Sequence, residues 1–363
     1  MKFLTLEKEV FGLDISDQSL KIVSLKKRSG GFSLASFNEI EIDSGVIEKG
    51  IIQDEEALVK IIKALYKNTK GERIRTKYVI ASLPEERSFL QVIQMPKMEE
   101  KELKSAVFFE AENYIPLPIT EVYLDFQTID PIKDHFNHLD VLIAATPKKI
   151  VNSYVSCLKK AGLVPVALEV ESQAIARSLI KKETSISPVI IIDIGKTSAI
   201  FIVFAGHSIQ FTCSIPISSL QLTSAIAKSL AIDPEKAERI KIKYDLASRE
   251  ENARSKKIFE AMLPILEELV VQVKKYSNFY QDHSSHEHLP SNHRIENVLI
   301  CGGGANLKGL PEFLSEKLQI PVTLGNFWTN LQLKKTYDQP QQNPLSFTTA
   351  LGLALRGAKN TND

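Results

Sequence analysis

The sequence predicts an α/β protein built from two similar halves, and three observations predict it. Strand and helix patterns alternate along most of the chain. A strand–polar turn–strand unit occurs twice, about half the chain apart, as FGLDISDQSLKIVSL at 11–25 and VIIIDIGKTSAIFIV at 189–203. A third strand feeds Gly302, Gly303 and Gly304 ahead of a helix. The spacing of the two hairpins is that of a duplicated domain rather than of a solenoid repeat. At 363 residues the chain exceeds one compact core, since single cores stop growing near ~250–300 residues.

The elements follow in order. Glu55 to Asn68 carries Leu58, Ile61, Ile62 and Leu65 on one helical face. Tyr78 to Leu83 is a strand stopped by Pro84, and Phe89 to Met95 is a strand stopped by Pro96. Glu99 to Asn113 is a helix with Leu103, Ala106, Val107 and Glu110 in register. Val122 to Ile129 alternates as a half-buried strand, and Val141 to Ala145 is a buried one. Lys148 to Ala161 is a helix ended by Gly162. Val164 to Val170 and Ser172 to Ile180 add one strand and one helix.

In the second half, a helix at Leu220 to Leu230 follows the hairpin. Asp233 to Ser255 is charged and expected to be helical and exposed, and Ile258 to Tyr280 is a long amphipathic helix. Asp282 to Arg294 is polar and His-rich, and is expected to be a loop. Asn297 to Cys301 is the strand before the three glycines. Leu310, Phe313, Leu314 and Leu318 line one face of the next helix, and Phe347 to Arg356 is a short apolar one.

Composition excludes several function classes. Lys+Arg at 45 against Asp+Glu at 44 leaves a formal charge of +1, so no global field draws in nucleic acid or an anionic membrane. Cys157, Cys213 and Cys301 lie far apart without a C-x-x-C pair, which suits a reducing compartment. Glu7, Lys8 and Glu9 interrupt the apolar residues of the N-terminus, unlike a signal peptide. The longest apolar stretch, Pro188 to Gly206, carries Asp193 and Lys196 and makes a poor membrane span. A cytoplasmic protein is expected.

Phosphate binding needs backbone N–H donors, close backbone approach and usually a cation. The turn after Asp14 offers Ser16, Ser19 and Lys21, and the turn after Asp193 offers Gly195, Lys196, Thr197 and Ser198. If the hairpins face each other they form two clamps on a polyphosphate, with Asp14 and Asp193 near a hydrated Mg2+. Taken alone, each hairpin reads first as a plain turn, and the strand–GGG–helix unit lacks the spacing of a dinucleotide fingerprint or P-loop.

With these residues in view, the chain resembles the PilM family of type IV pilus assembly proteins, an FtsA-like branch of the actin/Hsp70/sugar-kinase superfamily. The resemblance is carried by 12–25, by VIQMPKMEEKELKSAVFFEAENYIPLPITEVYLDFQTI at 92–129, by AATPKKIVNSYVSCLKKAGLVPVALEVES at 144–172, by 189–203, and by LICGGGANLKGLPEFLSEKL at 299–318. The block at 92–129 is the most specific, because general actin relatives do not share it.

The resemblance implies a two-lobed, actin-like (ribonuclease H-like) ATPase fold with an FtsA-type small inserted subdomain. The first lobe would take 8–83, 147–187 and the helix at 345–358, and the small subdomain 84–146. The second lobe would take 188–232 and 296–344, with a helical subdomain at 233–295. It implies ATP or ADP with Mg2+ between the lobes. Gly12, Asp14, Ser16, Ser19 and Lys21 would form the first phosphate loop, and Asp193, Gly195, Lys196, Thr197 and Ser198 the second. Gly302, Gly303, Gly304 and Asn306 would contact adenosine, with Asp14 and Asp193 reaching Mg2+ through water.

It also implies a scaffold of a type IV pilus or type II secretion-like assembly platform at the inner face of the cytoplasmic membrane, held by the cytoplasmic N-terminal peptide of a PilN-type bitopic protein. A pilus motor ATPase and self-association are further partners to expect. Two positions depart from the family pattern. Asp17 and Gln18 occupy the first turn, where an acid repels phosphate unless it faces solvent or a metal. Lys196 stands where a small residue is usual. No catalytic base is visible beyond the two aspartates, so robust turnover is not expected. The alternative is an FtsA-like filament protein, against which the C-terminal ALGLALRGAKNTND has few cations and a short apolar face.

Three other features carry weaker readings. Phe108, Phe109, Tyr114, Ile115, Pro116, Leu117 and Pro118 form an aromatic–Pro patch, with Phe108 expected in a core and one face lining a peptide groove. His283, His286, His288 and His293 lack the spacing of a metal site and are expected on a solvated loop. Glu110 and Glu112, two apart on a helix, do not face each other as a catalytic pair would.

Overall fold

The structure is a computed structural model and describes residues 9–130, 137–283, 294–332 and 343–360. The chain divides into two compact units, one running to Thr184 and resuming at Phe327, the other spanning Ser185–Asn326.

The first unit holds β1 (Phe11–Ile15), β2 (Ser19–Arg28), β3 (Gly31–Glu41), and the short pair β4 (Ile47–Glu48) and β5 (Ile51–Ile52). Then come α1 (Glu55–Lys67), β6 (Lys70–Gly71), β7 (Tyr78–Leu83), β8 (Phe89–Pro96), α2 (Glu100–Ala111), β9 (Val122–Ile129) and β10 (His138–Pro147). α3 (Lys148–Lys160), β11 (Val164–Val170) and α4 (Glu171–Leu179) follow, and the C-terminal helix Thr348–Asn360 returns to the same unit.

Its main sheet runs β11-β7-β1-β2-β3-β6. Strand alternation assigns the two faces of β1. Phe11, Leu13 and Ile15 pack with Leu58, Ile62 and Leu65 of α1 and Tyr154 and Leu158 of α3, all buried. Full burial of one such Leu or Ile stabilises by ~1.5–3 kcal/mol. α1 starts where the Asp54 side chain accepts from the Ala57 N–H, an N-cap.

On the opposite face, a Cβ on Gly12 would lie 2.3 Å from the Ala350 carbonyl oxygen and 2.6 Å from the Ala354 nitrogen. The C-terminal helix therefore packs directly on the β1 backbone. Val23, Phe37, Phe327 and Phe347 join Leu351 and Leu355 in the core between sheet and helix. Phe327 thus belongs with the first unit, and the expected second-lobe segment to 344 ends instead at Asn326. Aromatic packing, which periodicity does not register, decides this boundary.

The stretch 84–146 builds its own core. β8, β10 and β9 form an antiparallel ladder, and α2 covers it with Leu103, Val107 and Ala111 against Ile93, Val141 and Ile143. Phe108, expected in this core, is only half-buried, and Ile115 is the member of the aromatic–Pro patch that enters it.

The second unit repeats the sheet. β12 (Ser185–Ile194), β13 (Ala199–Gly206), β14 (Ser208–Ile215), β15 (Asn297–Cys301) and β16 (Val322–Leu324) run β16-β15-β12-β13-β14. β12 pairs antiparallel with β13 and parallel with β15, as β1 does with β2 and β7. The duplication read from two hairpins is thus a duplication of strand order.

Its helices are α5 (Ser219–Leu230), α6 (Pro234–Lys243), α7 (Ala253–His283) and α8 (Leu310–Leu318). A capping box between Ser218 and Gln221 starts α5, and Asp233 followed by Pro234 starts α6. The expected exposed helix over Asp233 to Ser255 is broken: α6 ends at Lys243 and a turn at Leu246–Ser248 precedes α7. Ala237 and Lys241 of α6 are buried. Of the loop histidines, His286, His288 and His293 lie outside the described residues, and the backbone of His283 closes α7.

Candidate functional site

The first loop joins β1 to β2 and is built on a buried acid. Asp14 stands opposite Lys21 across the antiparallel pair, on one face of the sheet. The Ser82 hydroxyl donates to Asp14 Oδ1 at 3.2 Å and accepts the Ile15 N–H at 2.7 Å. Burial pushes the Asp14 carboxyl above its ordinary value; the Lys21 ammonium and the Ser82 hydrogen bond oppose this, and Glu39 adds to it.

Lys21 donates to Ser19 Oγ and lies 3.4 Å from Glu39. Ser16 closes the turn by donating its N–H and hydroxyl to the Ser19 carbonyl. Asp17 does not face the loop interior: its carboxylate accepts the N–H groups of Lys49 and Gly50 at 2.8 and 2.9 Å. The acid that the sequence places in this loop is thus held on two backbone donors of the Lys49–Gly50 turn, with its charge kept.

The second loop joins β12 to β13. The Gly195 N–H donates to the Ser198 carbonyl at 2.9 Å, and a Cβ on Gly195 would meet that oxygen at 2.7 Å. The first turn of α5 holds the loop from below, with Ser219 and Leu220 N–H groups on the Gly195 and Lys196 carbonyls. Lys196 and Thr197 are exposed, whereas Gly195 and Ser198 are half-buried.

The Gly-rich turn sits on this hairpin. A Cβ on Gly302 would lie 2.0 Å from Asp193 Oδ1, and one on Gly304 2.4 Å from Ile194 Cγ2. Gly302 has φ +81°, a left-handed conformation glycine adopts without strain. These two glycines are thus fixed by the close approach of β15 to β12. Gly303 and Asn306 are exposed, and the Asn306 amide donates to the Gly303 carbonyl at 3.0 Å.

Sequence reasoning missed the buried cation beneath the second loop. Lys241 Nζ donates to the Ser219 hydroxyl and carbonyl and to Thr223 Oγ1, and pairs with Glu238 at 2.8 Å. Burial lowers its pKa, Glu238 opposes this, and the nearby charge of Lys196 lowers it further. The available signal was spacing, because Ala237 and Lys241 share the inner face of α6. Ser82 was missed for another reason: it reaches Asp14 from β7, far away in sequence.

A cavity of about 600 Å³ in the second unit lies between the turn after α6 and α8, lined by Asp245, Arg249, Glu250, Glu312, Phe313 and Glu316. None of the sequence-predicted residues lines it. Among the described residues, no group of three or more His, Cys, Asp or Glu is placed to hold a metal. No helix among them is long and apolar enough to cross a membrane.

The solved PilM–PilN type IV pilus biogenesis complex contains a chain 29% identical, with a TM-score of 0.80, covering 97% of this chain and 99% of that one. MreB5 of Spiroplasma citri bound to ADP is 12% identical, with a TM-score of 0.56 and coverage of 98% and 96%, which shows the actin-like fold. Cell division protein FtsA of Pseudomonas aeruginosa is 25% identical over 229 residues, 57% of this chain and 51% of FtsA, so the match spans about half that relative's length. The family described as type IV pilus assembly protein PilM matches residues 12–358, and the chain belongs to that family.

Proposed function

We propose that this chain is a nucleotide-binding scaffold of a type IV pilus assembly platform, gripping the cytoplasmic N-terminal peptide of a PilN-type membrane protein. The observation that carries this reading is its end-to-end likeness to a chain of the PilM–PilN complex. The inserted subdomain offers an apolar surface on which such a peptide could dock. There Phe109 is 75% exposed, and Tyr114 and Leu117 are exposed as well. Recruitment through the partner would place the protein at the inner face of the cytoplasmic membrane. A motor ATPase or a second copy would dock elsewhere.

The nucleotide would be ATP or ADP with Mg2+. Asp14, Ser16, Ser19 and Lys21 would serve one phosphate loop, and Asp193, Gly195, Lys196, Thr197 and Ser198 the other. Gly303 and Asn306 would meet adenosine, while Gly12, Gly302 and Gly304 serve by letting the backbones approach. Asp14 and Asp193 would each reach a hydrated Mg2+ through water, as hard carboxylate oxygens beside hydroxyl-bearing turns. When bound, the ion neutralises phosphate charge. Four subdomains follow the family plan, with 84–146 inserted in the first lobe, 233–295 in the second, and the second lobe ended at Asn326.

Titrating the full chain with a synthetic peptide of the partner's cytoplasmic N-terminus tests the reading. Saturable binding is expected, and its absence both with and without ATP overturns the scaffold assignment. The FtsA likeness favours a second reading, a membrane-tethered filament protein. Against it, the apolar face of the C-terminal helix is spent in packing, with Leu351, Leu353 and Leu355 fully buried. Flotation of the protein alone with anionic liposomes would reverse this preference.

A further inference from the structure

The two-residue turn Lys49–Gly50, between β4 and β5, is held from three directions. Its N–H groups donate to the two oxygens of Asp17, at 2.8 and 2.9 Å. Its Lys49 carbonyl accepts from Arg87 Nε at 2.8 Å, and its Gly50 carbonyl from the Tyr154 hydroxyl at 3.1 Å. Both residues have positive φ, 48° and 72°, as a type I′ turn requires. A Cβ on Gly50 would lie 2.5 Å from Pro84 Cβ. A short turn is thus tied by side chains to the first loop, to the segment entering the inserted subdomain, and to α3.

The entry segment is itself tied down. Arg87 belongs to the helical turn Glu85–Arg87 just before β8. Ser88 and Thr146 share a hydroxyl–hydroxyl hydrogen bond of 2.9 Å, joining the strands by which the chain enters and leaves the subdomain. Glu85 and α4 exchange two bonds, the Glu85 N–H to Glu171 and the Ser172 N–H to Glu85. Arg87 thus lies between the anchor of Glu85 on α4 and the Ser88–Thr146 bond at the start of the subdomain.

We propose that the Lys49–Gly50 turn is a strap coupling phosphate binding at the first loop to the setting of the subdomain 84–146, with Asp17 and Arg87 as its positioning residues. The proposal rests on the nucleotide reading given above. An arriving polyphosphate repels the Asp17 carboxylate, and a metal ion with it attracts that group. Either displacement acts through two charge-assisted hydrogen bonds, so the turn follows Asp17 and carries Pro84 and Arg87 with it. Coupling is reciprocal, so a peptide docked on the subdomain changes nucleotide affinity by the same factor.

The test compares amide hydrogen exchange of the full chain with and without saturating MgATP, for wild type, Arg87→Met and Asp17→Asn, alongside binding of a fluorescent ATP analogue. Arg87 touches no residue assigned to the nucleotide, so Arg87→Met should still saturate with the analogue, its affinity changed by no more than the coupling factor. In wild type, MgATP should change exchange across Glu85–Pro96 about fivefold or more. Arg87→Met should abolish that change while keeping protection of the first loop. Bound nucleotide with no effect on Glu85–Pro96, or an effect that survives in both folded variants, overturns the strap. Failure of wild type to bind the analogue at all overturns the nucleotide reading, and the strap with it. Should Arg87→Met fail to fold, Asp17→Asn gives the same decision, because it breaks the other end.

Discussion

The guanidinium of Arg177 grips the buried carboxylate of Glu169 with two nitrogens, at 2.6 and 2.7 Å. The Glu169 side chain is only 1% exposed, and Arg356 of the C-terminal helix approaches the same carboxylate at 3.4 Å. One acid from β11 thus holds cations from α4 and from the returning chain end. Glu169→Ala leaves both guanidinium groups without this partner and is expected to cost about 3–5 kcal/mol. Lys359→Ala removes the more exposed pair with Glu183 and should cost at most about 1 kcal/mol. Urea midpoints check the contrast, and equal losses would refute it.

Glycine packing leads to a second expectation. A Cβ on Gly352 would lie 1.8 Å from the Ala174 carbonyl oxygen, and the obstacle is backbone, which cannot turn aside as a side chain can. Gly352→Ala and Gly12→Ala should each force the C-terminal helix outward, costing about 1–3 kcal/mol. Gly162→Ala faces open space but sits at φ +85°, so its loss comes from backbone strain alone. Thermal melts of the three variants should rank Gly352→Ala as the most damaging.

The two hairpins and three glycines were legible because alternation of apolar residues and clustering of turn residues are local signals. The duplicated strand order follows from the hairpins as soon as each is given a parallel neighbour. What stayed hidden depends on long-range packing. Gly12 looks like a phosphate-loop glycine in sequence, yet its neighbour is Ala350. Asp17 looks like a free loop acid in sequence, yet its carboxylate holds the Lys49 and Gly50 N–H groups. Phe327 continues the second half in sequence, but its ring packs edge-on against Trp328 in the core of the first unit.

The acid of the first loop should leave a mark on pH dependence. Asp14 has an ordinary value of 3.8, raised in the folded protein chiefly by burial. The folded state therefore holds this proton where the unfolded chain has released it. The stability this contributes is complete below the unfolded value and lost as pH rises through the folded one. Above the folded value the ionised Asp14 is a net cost to folding, the usual condition of a functional acid. Asp14→Asn should raise the melting temperature of the nucleotide-free protein near neutrality, and the gain should shrink toward about pH 3. The same variant should weaken Mg2+-dependent nucleotide binding. A variant less stable than wild type at neutrality would show that the pairing with Lys21 outweighs burial.

Phe109 separates the proposed docking surface from the core beneath it. Its ring is exposed on α2, while Val107, two residues earlier, is fully buried in the subdomain core. Exposed large aromatics of this kind act as anchors for an apolar partner side chain, and truncating an anchor costs about 1–2 kcal/mol of binding. Phe109→Ala should therefore weaken binding of the PilN-type peptide about five- to thirtyfold, measured by calorimetry. Its melting temperature should stay near that of wild type, because surface substitutions change stability by about 0.5 kcal/mol or less. Val107→Ala should behave the opposite way, losing stability through a cavity. An unchanged peptide affinity in Phe109→Ala, with the wild type binding normally, would move the docking surface away from α2.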